Sequence, residues 1–391
     1  MFKNFAFLPT AVILLALTCA PARAQEQTPS PENSTEITTG AISGQIVNER
    51  GDPMPGASVF VRSLAMPNAG RSASADAEGR FRLTGLEAGL YILTGHSPAY
   101  VFQPPQEDTG PTYYRIGDSV RLEIIKGAVI TGTVVNANSE PLVGVRVRAL
   151  MIRDANGKTA RTPQYGLAER ITDDRGIYRI YGLSAGTYIV SAGGGQGSQS
   201  WQLNPYEGDV PTYAPSSTRD GATEFTVRSG EETTADIRYR NDPGHTVSGS
   251  VKVVGNTNGA SVMLMALDGG LMPAANTFQA PGARGFELSG VGDGEYQIMA
   301  VEFPVTPGMT TLPDIGMSDA KRITVKGADV SGIELTTRPA SSLSGRIALE
   351  PSKAPECQGK RKPLFAETLI ELQRNEKDPE AILARGTLTS R

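Results

Sequence analysis

The residues able to do chemistry are few and scattered. The chain holds two histidines, His96 and His245, and two cysteines, Cys19 and Cys357. A zinc peptidase needs several His, Cys or carboxylate ligands converging at fixed spacing. Neither histidine stands in an H-E-x-x-H or H-x-x-E sequence. Gly95-His96-Ser97-Pro98-Ala99 echoes a nucleophile elbow, but an elbow feeds a helix and no helical pattern follows Ala99. It reads as a turn with a solvent-facing serine. The run GGGQG from Gly193 to Gly197 lacks the Lys and Ser/Thr of a phosphate loop. Asp76-Ala77-Glu78 and Asp173-Asp174 pair carboxylates, yet calcium takes six to eight oxygens and no calcium-loop spacing surrounds them. They read as turn formers. No catalytic residue, metal ligand or cofactor is assigned, and the chain reads as non-enzymatic.

Aromatic rings are the remaining candidates. Two long polar stretches, YVFQPPQEDTGPTYYRIGD from Tyr100 and WQLNPYEGDVPTYAPSSTRDG from Trp201, share a Pro-Thr-Tyr step at Pro111–Tyr113 and Pro211–Tyr213. Tyr113, Tyr114, Trp201, Tyr206 and Tyr213 stand among Pro, Gly, Asp and Glu rather than in an alternating core pattern. Aromatic faces beside polar acceptors suit a stacked sugar ring or a peptide, and long loops on a rigid scaffold are where binding residues usually lie. The competing reading is that the rings cover a sheet edge.

Composition narrows the partners. Net charge is −4, and removal of Lys3 and Arg23 with the N-terminal segment leaves 35 basic and 41 acidic residues. Such a surface does not suit a nucleic acid, which calls for clustered Lys and Arg. The opening MFKNFAFLPTAVILLALTCAPARA has a positive start at Lys3, an apolar run from Phe5 to Ala20, and small residues at Ala22 and Ala24. That is the layout of a secretory signal cleaved after Ala24. The alternatives are a membrane anchor, which Pro9 and the short run oppose, and a lipoprotein signal at Cys19, where Thr18 replaces the usual small residue. No later stretch is apolar for long enough to span a bilayer, so the expected product is secreted, periplasmic or at the cell surface. Cleavage would leave Cys357 as the one cysteine, either a buried or free thiol or one paired outside this chain.

The elements that must position these rings come from a repeat. ISGQIVNERGDPMPGASVFVRSL from Ile42 matches ITGTVVNANSEPLVGVRVRAL from Ile130; VSGSVKVVGNTNGASVMLMAL from Val247 is a shorter version, and LSGRIAL from Leu343 begins a fourth. A second block, ADAEGRFRLTGLEAGLYILTG, TDDRGIYRIYGLSAGTYIVSA and GARGFELSGVGDGEYQIMAVE, aligns without gaps. Its Phe81/Leu83, Tyr178/Ile180 and Phe286/Leu288 alternate with polar residues, as in half-buried strands. Glycine and proline together number 71, and much of that excess falls in the repeated turns. Each unit offers six or seven short strands, a small antiparallel sandwich. The expected divisions are a signal over 1–24, a flexible leader over 25–39, β-sandwich repeats over 40–126, 127–240 and 241–338, and an incomplete repeat over 339–391.

The patterns SG-x-[IV], P-[LM]-x-G-[AV] and D-x-x-G-x-[FY]-x-[IL]-x-GL-x-x-G-x-Y resemble the carboxypeptidase regulatory-like repeat. That family is similar in fold to transthyretin and to the B-type repeats of Gram-positive adhesins. The resemblance is strong in the first two units, moderate in the third and confined to the start of the fourth. It implies an all-β chain, a tandem array of prealbumin-like seven-stranded antiparallel β-sandwiches of carbohydrate-binding-like fold, in exported or cell-surface bacterial proteins. The peptidase domain that the family name refers to has no counterpart in the sequence. Adhesin repeats of this type can join first and last strands by a Lys–Asn isopeptide bond. ISGQIVN and ITGTVVN contain no Lys, and Lys252 of the third unit faces a closing strand, GIELTTR, without Asn. No crosslink is expected.

The fourth repeat lacks its hairpin block, and LFAETLIELQRNE fits a short amphipathic helix or a strand equally well; an incomplete or truncated last unit is expected. Two functions follow. The first is carbohydrate binding through the aromatic loops of the first two units, with a glycan or surface-protein ligand. The second is a structural spacer or protein-interaction module.

Overall fold

The computed structural model describes residues 39–65, 70–102, 112–159, 169–194, 205–206, 208–254, 257–267, 273–280, 282–283, 285–304, 316–339, 345–348 and 364–370. The signal segment and most of the leader, Pro111, Trp201 and Cys357 lie outside the described residues.

Alternating side chains build unit 1 from seven strands: β1 (Gly40–Val47), β2 (Ser58–Ser63), β3 (Gly70–Ser74), β4 (Arg80–Leu86), β5 (Tyr91–His96), β6 (Tyr100–Phe102) and β7 (Ser119–Lys126). They form two sheets, β4-β1-β7-β6 and β3-β2-β5. Inward residues such as Phe81, Leu83, Val59, Leu93, Leu122 and Ile124 fill the space between them. Each such side chain removed from water contributes about 1.5–3 kcal/mol.

Unit 2 follows with β8 (Ala128–Val135), β9 (Arg146–Asp154), β10 (Glu169–Ile171), β11 (Ile177–Leu183), β12 (Gly186–Ala192), β13 (Thr212–Tyr213), β14 (Phe225–Val227), β15 (Glu232–Thr234) and β16 (Ile237–Arg238). One sheet runs β10-β9-β12-β13 with β14 also on β12; the other runs β11-β8-β15 with β16 further along β8.

Unit 3 comprises β17 (His245–Lys252), β18 (Thr257–Ala266), β19 (Pro273–Gln279), β20 (Phe286–Val291), β21 (Gly294–Pro304), β22 (Gly316–Ser318), β23 (Lys321–Val325) and β24 (Val330–Pro339). Here the short β22 pairs with both β21 and β24, so its strands form one continuous folded sheet. The expected all-β array of sandwiches is what the chain forms. Most pairings are antiparallel; the first strand of every unit pairs parallel with the last, β1 with β7, β8 with β15 and β16, and β17 with β24.

That parallel pair explains the glycine of the repeated SG/TG step. The opening strand is squeezed between the closing strand and an aromatic ring of the hairpin. A Cβ on Gly44 would strike the Val120 carbonyl and lie 2.8 Å from the Phe81 ring. On Gly132 it would strike the Ala235 carbonyl and lie 3.1 Å from the Tyr178 ring, and on Gly249 it would strike the Ile333 carbonyl. Glycine inside a strand marks such a close approach.

The tail is only partly described. Residues 365–367 form a single 3-10 turn, and 345–348 have no regular structure.

Candidate functional site

The carboxylates of the hairpin turns serve the backbone. Asp76 Oδ1 accepts from the amides of Glu78 (3.0 Å) and Arg80 (2.7 Å), and Asp173 Oδ1 from Arg175 (3.0 Å) and Ile177 (2.8 Å). The Ile177 amide, followed by that of Arg175 and its guanidinium, holds the Asp173 carboxyl below its ordinary range. The two histidines are far apart in role. His96 packs edge-on against Phe60 at 6.5 Å. His245 Nε2 lies 3.2 Å from Asp293 Oδ1 and its Nδ1 3.9 Å from Asp329 Oδ1. Among the described residues no group of three or more His, Cys, Asp or Glu is placed to hold a metal. In unit 3 the exposed Lys252 is paired with Thr336, while the neighbouring Thr337 is buried and donates its hydroxyl to Glu302.

The described candidates Tyr114, Tyr206 and Tyr213 are tied to their own sandwiches. In unit 1, Tyr114 exchanges backbone hydrogen bonds with Tyr91 (2.8 and 2.9 Å) and packs against the unit 1 core. Burial, then the charge of Asp118, raises its phenol pKa above the usual tyrosine value. Tyr91 is raised too, by burial first, and its hydroxyl donates to the Glu87 carbonyl at 2.7 Å. Tyr113, the residue before Tyr114, is half-buried.

In unit 2, Tyr206 meets Tyr239 edge to face, with ring centres 5.5 Å apart, and packs against the unit 2 core. Its carbonyl accepts from the Gly194 amide at 2.8 Å. Tyr239 is 4% exposed and donates to Asp209 Oδ2 at 2.9 Å; burial, then Asp209, pushes its phenol far above the normal range. Tyr213 sits on β13, opposite Ser191 of β12, and is half-buried. The preceding Thr212 is fully buried and its hydroxyl accepts from the Arg240 amide at 3.1 Å.

Sequence reasoning missed what the residues between Tyr206 and Tyr213 touch. The Val210 amide donates to the Asp242 carbonyl at 2.7 Å in the connection to unit 3, and Asp242 Oδ1 accepts from the Gly244 amide at 3.0 Å. A Cβ on Gly290, at the kink of the β20–β21 hairpin, would lie 2.5 Å from the Gly208 carbonyl and 2.8 Å from that of Asp209. One on Gly244 would strike the Val210 side chain. Gly290 is buried, with φ +68°.

The connection from unit 1 to unit 2 repeats this arrangement. The Gly127 amide donates to Ala99 at 2.8 Å, and a Cβ on Gly127 would lie 2.6 Å from Gly182 Cα and 2.9 Å from Val101. Gly182 holds the hairpin position of Gly290, is also buried, and has φ +73°. Its added Cβ would lie 3.7 Å from the Tyr100 carbonyl. At both connections a stretch of one unit, the start of β6 in unit 1 and the Gly208–Asp209 loop in unit 2, rests on the kinked glycine of the next unit's hairpin. The recurring G-[LV] step was the signal in the sequence; it showed a turn and not its neighbour.

With that geometry in place, likeness to known proteins can be stated. Residues 41–103 match the carboxypeptidase regulatory-like domain family, so the first unit carries the domain that the repeat resembles in sequence. No curated protein matches the chain. Among solved structures it is similar to the TIE protein of Bacillus anthracis, at 13% identity and TM-score 0.19 over 77% of this chain and 51% of that one. A minor pilin of Streptococcus agalactiae aligns at 13% identity and TM-score 0.26 over 51% of this chain and 94% of its own. The major pilin subunit of Bacillus cereus aligns at 12% identity and TM-score 0.19 over 77% and 100%. Among the described residues no helix is long and apolar enough to cross a membrane.

Proposed function

We propose that the chain is an exported, non-enzymatic β-sandwich array working as a structural module at the cell surface or in the periplasm, its units held at set angles by their connections. The observation that carries this reading is the backbone-on-glycine contact between successive units, made by Tyr100 against Gly182 and by Gly208 and Asp209 against Gly290. A flexible tether has solvated polar linkers; these connections instead have buried glycines and backbone hydrogen bonds across the joint. The test is small-angle scattering of the full chain beside a Gly290→Val variant. A joint that matters gives a single shape for the parent and a broader, more open distribution for the variant.

Carbohydrate binding is the second reading, favoured by the partial exposure of Tyr113 and Tyr213 on related loops. A glycan array and calorimetry on the full chain test it, with Trp201→Ala and Tyr213→Ala as the variants. No binding, or binding indifferent to both changes, removes it.

A further inference from the structure

The sheet of unit 2 that carries Tyr213 has an outer face unlike those of the other units. Val147 and Ala149 of β9, Val190 and Ala192 of β12, and Ala214 after β13 point into the core. Side chains alternate along a strand, so Arg148, Ser191 and Tyr213 point outward. Register sets them side by side: Glu169 stands opposite Arg148, Arg148 opposite Ser191, and Ser191 opposite Tyr213. Directly opposed residues share a face. Glu169–Arg148–Ser191–Tyr213 is therefore one row across four strands, about 14 Å from end to end at ~4.8 Å per strand.

Arg148 is pinned within that row. Its Nε donates to Glu169 Oε2 at 2.7 Å, and its Nη1 to the carbonyls of Gly193 (3.2 Å) and Gly194 (3.0 Å). Its Nη2 makes no hydrogen bond among the described residues, and the side chain is 25% exposed. Arg146, two residues back on the same face, donates to Glu169 Oε1. Two guanidinium groups thus share one carboxylate, and the row keeps a net positive charge. Further along the sheet Arg153 and Glu224 pair with each other. The matching row is Ser72–Phe60–Thr94 in unit 1 and Asn276–Met263–Met299 in unit 3. Neither row holds a charge, so the sandwich does not call for an arginine there.

We propose that this row is a binding site for an acidic glycan, a chain of sugars bearing carboxylates, with a carboxylate on Arg148 Nη2 and a sugar ring against Tyr213. The proposal rests on the carbohydrate reading above and gives it a place and a charge. A guanidinium already fixed through two of its nitrogens meets a carboxylate at little ordering cost. The tyrosine ring supplies an apolar face with a polar edge. Arg148 and Tyr213 stand two strands apart, about 10 Å, so linked sugars rather than a lone one touch both. That aromatic end favours a sugar over an acidic peptide.

Calorimetry of the full chain with an oligogalacturonate and with its methyl ester tests the site, since the two probes share a sugar and differ in charge. The acid should bind about tenfold more tightly than the ester and lose affinity as salt is added. Arg148→Gln should weaken the acid about tenfold and leave the ester unchanged, while Tyr213→Ala should weaken both. Equal binding of acid and ester overturns the acidic site and leaves the carbohydrate reading standing. Binding of neither probe, or of poly-glutamate as tightly as the acid, also overturns the site, and the glycan array then decides the carbohydrate reading separately. Arg148→Gln releases the Gly193 and Gly194 carbonyls as well, so the comparison of acid with ester, which alters no residue, stands as the independent reading.

Discussion

Units 1 and 2 carry related insertions, and each supports the unit after it, but with different stretches of chain. In unit 1 the support comes from Ala99–Val101, immediately after the hairpin, while Tyr114 ties the far end of the insertion back to Tyr91. In unit 2 it comes from Gly208–Val210, deep in the insertion, with Tyr206 and Asp209 anchoring the loop on Tyr239. Two chain paths place a backbone carbonyl on the same hairpin glycine. The contact thus falls on the same hairpin glycine in both receiving units, and in unit 2 Tyr206 and Asp209 hold the giving loop on Tyr239.

The strongest test of that comparison lies inside a unit. Gly132→Val drives a side chain into the Ala235 carbonyl and the Tyr178 ring and should cost unit 2 about 3 kcal/mol, read as a lower urea midpoint for unit 2. A glycine swap at the joints comes next. Gly290→Ala and Gly85→Ala both place a non-glycine residue at positive φ, costing about 1 kcal/mol. Only Gly290 also lies against another unit. Gly290→Ala should therefore destabilise more than Gly85→Ala and loosen the joint, and equal effects in calorimetry and scattering would break the comparison. Tyr239→Phe removes the anchor to Asp209 and should cost about 1 kcal/mol, measured by denaturation.

Alkaline pH should separate the units as well. Tyr178, Tyr188 and Tyr239 have phenols raised by burial above the unfolded tyrosine value of about 10. The folded chain therefore holds these protons more tightly. Their contribution is full below about pH 10 and falls as pH rises past that value. Unit 2, with all three, should lose stability above about pH 10 more steeply than unit 3, followed by unit-specific exchange. The smallest effect belongs to His245→Ala, whose partly exposed contacts to Asp293 and Asp329 should be worth about 0.5 kcal/mol.

Much of the fold was legible in the sequence because its rules are local. Period-2 alternation placed β4, β5, β11 and β12, and the glycine of each SG/TG step marked the opening strand. The parallel pairing of first and last strands was not legible, since it joins segments such as β8 and β15 across a whole unit. The single folded sheet of unit 3 escaped notice for a similar reason: β22 has three residues and no pattern of its own. The aromatic residues were read as candidate ligand contacts because they break alternation. Tyr206 breaks it because it packs from a loop onto the core rather than from a strand. Periodicity cannot tell those two cases apart. Trp201 lies outside the described residues and keeps its role as a candidate.

The central claim, that successive units are held by backbone of one resting on a buried glycine of the next, is most directly tested by one distance measurement. Spin labels on the exposed Arg175 of unit 2 and Lys321 of unit 3 would report the angle between them in the full chain. The account predicts one narrow distance distribution that broadens in Gly290→Val. A broad distribution in the parent, unchanged by the substitution, would contradict it.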